Sequence, residues 1–532
     1  SSDVCSSDLC KIIMSDCVIK IEKAPIENGK VNLQVSAAVL GSAPYPKLSA
    51  VFSCSEENRI IPMEIVGFND GIITAKATID LAYIFYKPVG DKSMDVKFLF
   101  SDGANGYKLI EPAEKLTLPV AKRRAIKHFF SCSSKEKLKI IAGKFFSFLA
   151  LPYLDRPVDE NRVTFLSNRS DYLTGNIKSV FLEMTKVPNI EISVLCCKGG
   201  IKRNLKILFK FLKLYSTSKI VFVDDYYHML SYVKKKDGVN IIQLWHACGA
   251  LKTFGYSRLG KDSSLNQSSP NHRQYDYAVV SSKDVAYSYA EGFGISSEKI
   301  LPLGSPRCDR FTDEAYKKYF CKKFYRENPE IADKKVILFA PTFRGGGQGN
   351  CYYPIEKFDA DRLLSSLPEE YVIICKMHPY LSERPKCSEK YKNRLIDLSD
   401  KYDINDILFV TDVLITDYSS VIFEASLLNI PMLFFAFDLD EYCKSRDFYC
   451  DYKSFVPGKI VTDTDEISSS ILKNDMKQEL VEPFCKRNFD ETAGKATQNV
   501  VRFACSLLQS ENKKFGESQN VYLQNDHQPS AY

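Results

Sequence analysis

Two periodicities divide the chain. From Ser15 to about Val120, short runs alternate apolar and polar residues, as in Val18-Ile19-Lys20-Ile21, Val31-Asn32-Leu33-Gln34-Val35 and Ile72-Ile73-Thr74-Ala75-Lys76-Ala77. Period-two alternation marks half-buried strands. Asn28-Gly29, Asn69-Asp70-Gly71 and Asp102-Gly103 separate the runs as turns, so a small all-β, sandwich-like domain is predicted. From Val163 to about Leu301, apolar strand-like runs alternate with helical patterns: Val163–Leu166, Ile190–Leu195, Lys219–Val223, Ile241–Leu244 and Ala278–Ser281. The alternation repeats from Val336 to about Leu472, with strands at Val336–Ala340, Tyr371–Lys376, Val413–Thr416 and Met432–Phe435. The fold class is therefore α/β, with two consecutive doubly wound parallel-sheet domains behind the all-β one.

Between these regions the period is helical. Leu138, Ile141, Ala142, Phe145, Phe148 and Leu149 share one face, while Lys135, Lys137, Lys139 and Lys144 lie mostly off it, behind a basic cluster of Lys122, Arg123, Arg124 and Lys127. A second basic helix carries Leu205, Leu208, Phe209 and Leu212 opposite Lys206, Lys210 and Lys213. Such helices suit an anionic membrane surface; the plainer expectation is packing on a neighbouring domain with the lysines solvated. No uninterrupted apolar run reaches the roughly 18 residues of a membrane span. Peripheral attachment is expected.

The expected division is a non-native leader at 1–13, resembling translated sequencing adaptor, with Met14 as the start. A β-sandwich-like domain (14–120) and a basic helical linker (121–160) follow. The first Rossmann-like domain (161–312) is expected to serve the acceptor and the second (313–510) the donor, before a polar, disordered tail (511–532). The length, 532 residues, agrees with several domains. A net charge of +6, without a concentrated basic patch, argues against a nucleic-acid binder. The 17 cysteines are scattered without a CxxC pair, and the six histidines do not join them at ligand spacing, so a reducing compartment and no zinc site are expected.

Four polar clusters fall at strand ends. They are Gln243–Ala250 with Trp245, His246 and, just beyond, Lys252; Ala340–Gly347 with Thr342 and Arg344; Lys376-Met377-His378-Pro379; and Thr416–Ser420. The last is a polar turn with Ser419 and Ser420 between a strand and a helix, where free N–H groups and hydroxyls suit a phosphate. Ligands of doubly wound sheets bind beyond the carboxyl ends of strands, so the four clusters form an anion-binding inventory. Singly, each histidine reads as structural and the serines as helix caps; together they favour a site.

The segments LWHACGALKTFGY, LGSPRCDRF, ILFAPTFRG, KMHPYL and DVLITDYSSVIFEASLLNIPMLFFAFDLDEY resemble the CDP-glycerol glycerophosphotransferase family of teichoic acid synthesis, from about Val163 to Phe503. The resemblance implies a GT-B-type pair of facing domains on the cytoplasmic face of the cell membrane. It implies a CDP-polyol donor, CDP-glycerol first, and a polyprenyl-diphosphate-linked acceptor, with no obligatory cofactor or metal. His246 would be the general base. His378 would contact the transferred phosphate or the diphosphate. Thr342, Arg344, Lys376, Ser419, Ser420 and Arg446 would hold the donor, and Glu424 a ribose hydroxyl. The chain departs from the family pattern at Asp447, where Arg-Gly-Phe is usual, and at Ala247, where Trp-His-Gly is usual.

The implied chemistry is attack of an acceptor hydroxyl on the β-phosphorus of a CDP-polyol, with CMP leaving. Positioned cations, N–H groups and hydroxyls would stabilise the developing charge. The rivals are a nucleotide-sugar glycosyltransferase of the same fold, acting on capsule, and a non-catalytic polymer-binding protein.

Overall fold

A computed structural model describes residues 16–508 except 41–42, 44, 56, 86–88, 104–105, 122–133, 199–204, 259–264 and 346–348. The expected leader and tail, the basic cluster from Lys122, the start of the second basic stretch and the glycines Gly346 and Gly347 lie outside the described residues.

The N-terminal region forms two five-stranded antiparallel sheets. One orders Asp16–Lys23, Lys30–Leu40, Ile72–Asp80 and Glu64–Asn69, with Ile26–Glu27 at its side. The other orders Leu116–Pro119, Ser93–Ser101, Lys47–Ser53 and Asn58–Pro62, with Lys108–Ile110 at its side. Their inner faces share a core of Ile19, Val31, Leu33, Val35, Phe52, Ile73, Phe98 and Phe100. Asn28-Gly29 and Asp70-Gly71 all have positive φ, which two-residue hairpin turns of the right twist require.

Two six-stranded parallel sheets follow. The first runs Glu191–Cys196, Asp159–Ser167, Ser218–Val223, Asn240–Gln243, Tyr277–Val279, Ile300–Leu301. The second runs Leu395–Asp397, Tyr371–Cys375, Lys335–Phe339, Val413–Thr416, Met432–Phe435, Lys459–Val461. Numbered along the chain, that second order is 3-2-1-4-5-6, the order of dinucleotide-binding sheets. Its crevice opens where the order reverses, between Lys335–Phe339 and Val413–Thr416. The central strands are buried on both faces, as helix-covered parallel sheets require.

The expected boundary at residue 313 is crossed again near the end of the chain. Helix Ala496–Leu507 returns to the first sheet, where Val500, Val501, Ala504 and Cys505 pack with Val163, Phe165, Ile177 and Ile220. The β region is not separate either. Val51, Ile60 and Leu99 belong to the core that fills one side of the first parallel sheet, and Ser49 Oγ donates to the buried Glu291 at 2.6 Å.

Helix Ser134–Leu154 packs on the same domain along a line different from the expected one. Gly143 faces Tyr232 too closely for a Cβ to fit comfortably, Ser147 Oγ donates to the Tyr232 carbonyl at 2.7 Å, and Ala150 is fully buried. The expected apolar face is the outer one. Leu138, Ile141, Phe145, Phe148 and Leu151 are 50–68% exposed, and Leu205 (71%) and Phe209 (41%) of the neighbouring helix Leu205–Thr217 are exposed too. Among the described residues no helix is long and apolar enough to cross a membrane.

Candidate active site

The first wall of the site is the loop after strand Asn240–Gln243. Trp245 has φ 52°, its N–H is held by Gln243 Oε1 at 2.8 Å, and its indole lies against the His246 ring at 4.4 Å between centroids. A third of the His246 side chain is open to solvent. Its Nδ1 faces two acceptors, the Asp224 carbonyl at 3.3 Å and Asp225 Oδ2 at 3.7 Å. Those partners assign the proton to Nδ1 and leave the lone pair on Nε2, the tautomer a general base needs. Burial, then the charges of Arg169 and Arg307, push His246 down to about 3. The ring is therefore neutral at physiological pH, and an anionic substrate beside it would raise its basicity.

The second wall is built from the strand ends of the other sheet. His378 follows Tyr371–Cys375 and packs against Phe343 and Tyr380, with centroids 4.6 and 4.8 Å away. Its Nδ1 accepts the Tyr380 N–H at 3.2 Å, so the neutral ring carries its hydrogen on Nε2 and offers a donor. Burial and then the Lys252 charge hold its pKa down. The two histidines thus hold opposite tautomers: one suits taking a proton, the other donating a hydrogen bond to an oxyanion. Ser419 and Ser420, both partly exposed, lie between strand Val413–Thr416 and helix Val421–Leu427. Ser419 Oγ accepts the Val421 N–H at 3.3 Å, and the Ser420 side chain makes no capping bond. A cavity of about 1420 Å³ opens at the ends of Lys335–Phe339 and Met432–Phe435, lined among others by Arg344, Arg446, Phe437, Asp438, Lys357 and Arg258.

Three expected ligands are already engaged within the protein. Arg344 is only 6% exposed. It binds Asp417 at 2.8 Å and Asp438 at 2.7 and 2.9 Å, and its guanidinium stacks over Tyr418 and Tyr442. Asp417 in turn accepts the N–H groups of Thr342 and Tyr418 at 2.7 and 2.6 Å. Arg344 and Thr342 therefore tie together three strand ends at the crevice. Lys376 donates to the carbonyls of Leu398, Ser399, Lys401 and Tyr402 at 2.8–3.1 Å. Its charge is used to close the loop after Leu395–Asp397, not to face the cleft. Glu424 is 1% exposed and pairs with Arg307, which also donates to the His246 carbonyl at 2.6 Å. The carboxylate expected at a ribose pairs with Arg307, which ties the Trp245–His246 loop of one domain to a helix of the other.

Lys252 was visible in sequence only as a neighbour of the Trp-His segment. It pairs by backbone bridge with Phe448 of the second domain, and its Nζ lies 3.5 Å from the Tyr442 hydroxyl. Burial pushes it down to about 8; Asp417 opposes this, and Arg446 and Arg344 add to it. Gly249 went unnoticed as well. It has φ 61°, and a Cβ there would lie 2.1 Å from the Phe423 ring of the second domain. Only glycine lets the Trp245–Gly249 loop approach that closely. Cys248, Cys308 and Glu424 offer ligand atoms within 4.8 Å of one another. The set does not suit a metal: Arg307 holds the carboxylate, and burial pushes the Cys308 thiol well above its usual range, keeping it protonated.

Asp447, the departure from the family pattern, sits where three domains meet. Its carboxylate accepts Tyr45 Oη at 2.5 Å and Lys47 Nζ at 2.9 Å from the β domain, and its carbonyl accepts the Thr253 N–H at 2.9 Å from the first α/β domain. Its backbone lies outside the left-handed region, so no glycine conformation is lost. The adjacent Arg446 lines the large cavity. Asp447→Gly, or Tyr45→Phe with Lys47→Ala, is expected to cost about 1–3 kcal/mol, the range of hydrogen bonds to charged groups, and to raise the donor KM through Arg446. Calorimetric melting and donor kinetics together check this; an unchanged melting point and KM in both variants would show that the junction carries no load.

Two doubly wound domains with parallel six-stranded sheets, tied to each other through Arg307–Glu424 and Lys252–Phe448, define the class of the protein: a two-domain α/β protein. The chain belongs to the CDP-glycerol:poly(glycerophosphate) glycerophosphotransferase family, whose model matches residues 149–506. It is 42% identical over 347 residues to the teichoic acid poly(ribitol-phosphate) polymerase of Bacillus spizizenii, covering 65% of this chain and 56% of that protein. It is 37% identical to the teichoic acid ribitol-phosphate polymerase TarL of Staphylococcus aureus, over 74% of this chain and 70% of that protein. The teichoic acid glycerol-phosphate primase of Bacillus subtilis is 31% identical over 60% of this chain and 81% of its own. In structure, the wall teichoic acid polymerase TagF superposes with a TM-score of 0.56 at 23% identity, over 75% of this chain and 100% of that one. That last likeness bears on the fold alone.

Proposed function

We propose that the protein transfers a polyol phosphate from a CDP-polyol to a hydroxyl of a lipid-linked acceptor or growing teichoic-acid-like chain, with a GT-B-type pair of domains closing on the donor. The observation that supports this reading is the pair of opposite histidine tautomers at strand ends of the two parallel sheets, with Lys252 of the first domain close enough for its charge to act on His378. His246 Nε2 takes the acceptor proton as the new O–P bond forms. His378 Nε2–H, Lys252, Arg446 and the Ser419 and Ser420 hydroxyls hold phosphoryl oxygens as the bond to CMP breaks. The relatives named above with the higher identities are ribitol-phosphate enzymes, so ribitol is the polyol to test first and glycerol second. Incubation with a panel of CDP-polyols and a lipid-linked acceptor, reading CMP release and product length, tests the activity; release of CDP or UDP from a nucleotide sugar instead would favour the glycosyltransferase.

Lys252 supplies a pH signature. With its pKa near 8, it is cationic below that pH and loses its charge above it. The value of kcat/KM reports the free enzyme, so it should fall on a basic limb near pH 8. Lys252→Arg, which stays charged, should move that limb upward. Identical basic limbs in the two proteins would remove Lys252 from donor binding.

The same reading places the enzyme on the cytoplasmic face of the membrane, held by the outer stripe of Ser134–Leu154 and by Leu205 and Phe209. Apolar burial supplies a salt-insensitive part and the lysines a screened one, about 1 kcal/mol each. Sedimentation with anionic vesicles should show binding that Phe145→Ser/Phe148→Ser abolishes and that Lys137→Glu/Lys144→Glu weakens at low salt. Equal partition onto neutral and anionic vesicles in all forms would exclude the charged part.

A further inference from the structure

A second cavity, of about 400 Å³, lies in the seam between the β domain and the first α/β domain. Lys234 and Asp237 reach it from the loop before strand Asn240–Gln243. Arg273 comes from the segment before Tyr277–Val279, and Ser296 and Lys299 from that before Ile300–Leu301. These are the amino ends of the strands, the edge opposite the one that carries His246, so the cavity is separate from the catalytic cleft. The β domain contributes Arg59 from strand Asn58–Pro62.

The charge inside this cavity is not balanced. Arg59 and Arg273 are each 4% exposed, and both guanidinium groups lie over the Tyr256 ring, at 4.7 and 5.6 Å from its centroid. Arg273 is held by the carbonyls of Tyr83, Ile84, Gly294 and Gln267. Arg59 donates from Nη1 to the Ile60 carbonyl at 3.1 Å and, weakly, to that of Glu291 at 3.5 Å, while its buried Nε has no partner. No carboxylate of the described residues lies within ion-pair distance of Arg59. Two nearby acids are paired elsewhere, Asp276 with Lys235 at 2.6 Å and Glu57 with Lys299 at 2.7 Å, while the buried Glu291 accepts from Ser49 at 2.6 Å and acts on Arg59 only at longer range. Only Asp237 stands at the rim, close in sequence to the exposed Lys234. Burial, then the neighbouring Arg273 charge, pushes Arg59 down to about 9, with the Glu291 charge opposing the shift from beyond ion-pair distance. A buried guanidinium with a free N–H in a cavity large enough for a small ligand suits a phosphate.

We propose that this seam cavity is a second anion site, which binds a phosphate group of the polyol-phosphate chain outside the catalytic cleft, with Arg59 and Lys234 as its ligands. The identity of that chain rests on the function proposed above; the phosphate chemistry does not. The site lies beside the exposed helix. Tyr232, two residues before Lys234, packs under Ser134–Leu154, and Lys236 Nζ donates to the Arg156 carbonyl just past that helix. A chain anchored there would stay on the enzyme between additions, and a lipid phosphate could reach the same ligands.

Calorimetric titration of the full chain tests the proposal, with three probes: inorganic phosphate, a soluble poly(glycerol phosphate) oligomer and phosphatidylglycerol vesicles. Lys234→Glu and Arg59→Lys are compared with Ser419→Ala/Ser420→Ala, which alters only the cleft. The expected result is that the oligomer and phosphate each bind a site that both seam variants weaken about tenfold or more, the loss of one charge-assisted contact. The cleft variant should leave that site intact, and CDP affinity should be unchanged in Lys234→Glu. Lys234-dependent binding of vesicles, competed by inorganic phosphate but with no oligomer binding, would support the site and assign its phosphate to lipid. Phosphate binding in a protein that releases no CMP from any CDP-polyol would keep the site and remove the function proposed for the cleft. Oligomer, phosphate and vesicle binding that both seam variants leave unchanged would overturn the proposal. Should Arg59→Lys fail to fold, unchanged binding in Lys234→Glu alone would overturn it.

Discussion

His246→Ala should lower CMP release by roughly 100-fold or more, the usual worth of a general base, with the fold intact. The fold should survive because the ring is partly open and its polar contacts are long, 3.3 Å to the Asp224 carbonyl and 3.7 Å to Asp225 Oδ2. Donor affinity should survive as well, since the phosphate-facing groups belong to Lys252 and to the second domain. The pH profile provides a sharper check. In the free enzyme His246 titrates near 3, because burial and the charges of Arg169 and Arg307 disfavour the imidazolium. A bound donor brings negative charge and raises that value. The acid limb of kcat, which reports the bound state, should therefore lie at higher pH than that of kcat/KM, and both should vanish with the base. Near wild-type turnover in His246→Ala, or coincident acid limbs in the active enzyme, would require another base.

Much of the fold was legible because its signals are local. Period-two runs between Asn-Gly and Asp-Gly turns gave the β region, and apolar runs ending in polar turns gave nine of the parallel strands to within a few residues. Ile300–Leu301, Leu395–Asp397 and Lys459–Val461 escaped: each is an edge strand of two or three residues, too short to show a period. The return of Ala496–Leu507 to the first domain escaped too, since an amphipathic helix does not encode which sheet it covers. The strand-end rule put the four polar segments at the carboxyl ends of their strands, where the structure has them, while the partners of individual side chains are long-range. Nothing local separates Lys376, which caps a loop, from Lys252, which crosses the cleft. Glu424 and Arg307 are 117 positions apart, and Asp447 meets Tyr45 across 402. The helix Ser134–Leu154 shows the same limit from the other side. Its apolar stripe was visible, but the small residues Gly143, Ser147 and Ala150 set the buried face, because close packing against Tyr232 has more use for small side chains than for large ones.

Arg344→Ala should cost about 3–5 kcal/mol of stability, the range for breaking a buried ion pair by removing one partner. The change leaves two carboxylates without their cation: Asp417, fully buried, and Asp438, of which 16% is exposed. It also removes the cation that lies over the mutually stacked rings of Tyr418 and Tyr442. Arg344→Lys should recover little, because a single ammonium cannot reproduce the fork that reaches Asp417 from one nitrogen and Asp438 from two others. Loss of donor affinity should follow from the same cause. The loops at Thr342, Asp417 and Asp438 that frame the 1420 Å³ cavity are held in place through this one side chain. Thermal melting and CDP titration on the two variants separate a framing role from a direct one. If Arg344 only frames the site, melting point and affinity fall together, and Arg344→Ala/Asp417→Asn recovers part of the stability by removing the stranded charge. If Arg344 were a phosphate ligand, Arg344→Ala would melt like the parent and lose CDP binding alone, and that result would put the guanidinium back among the donor contacts.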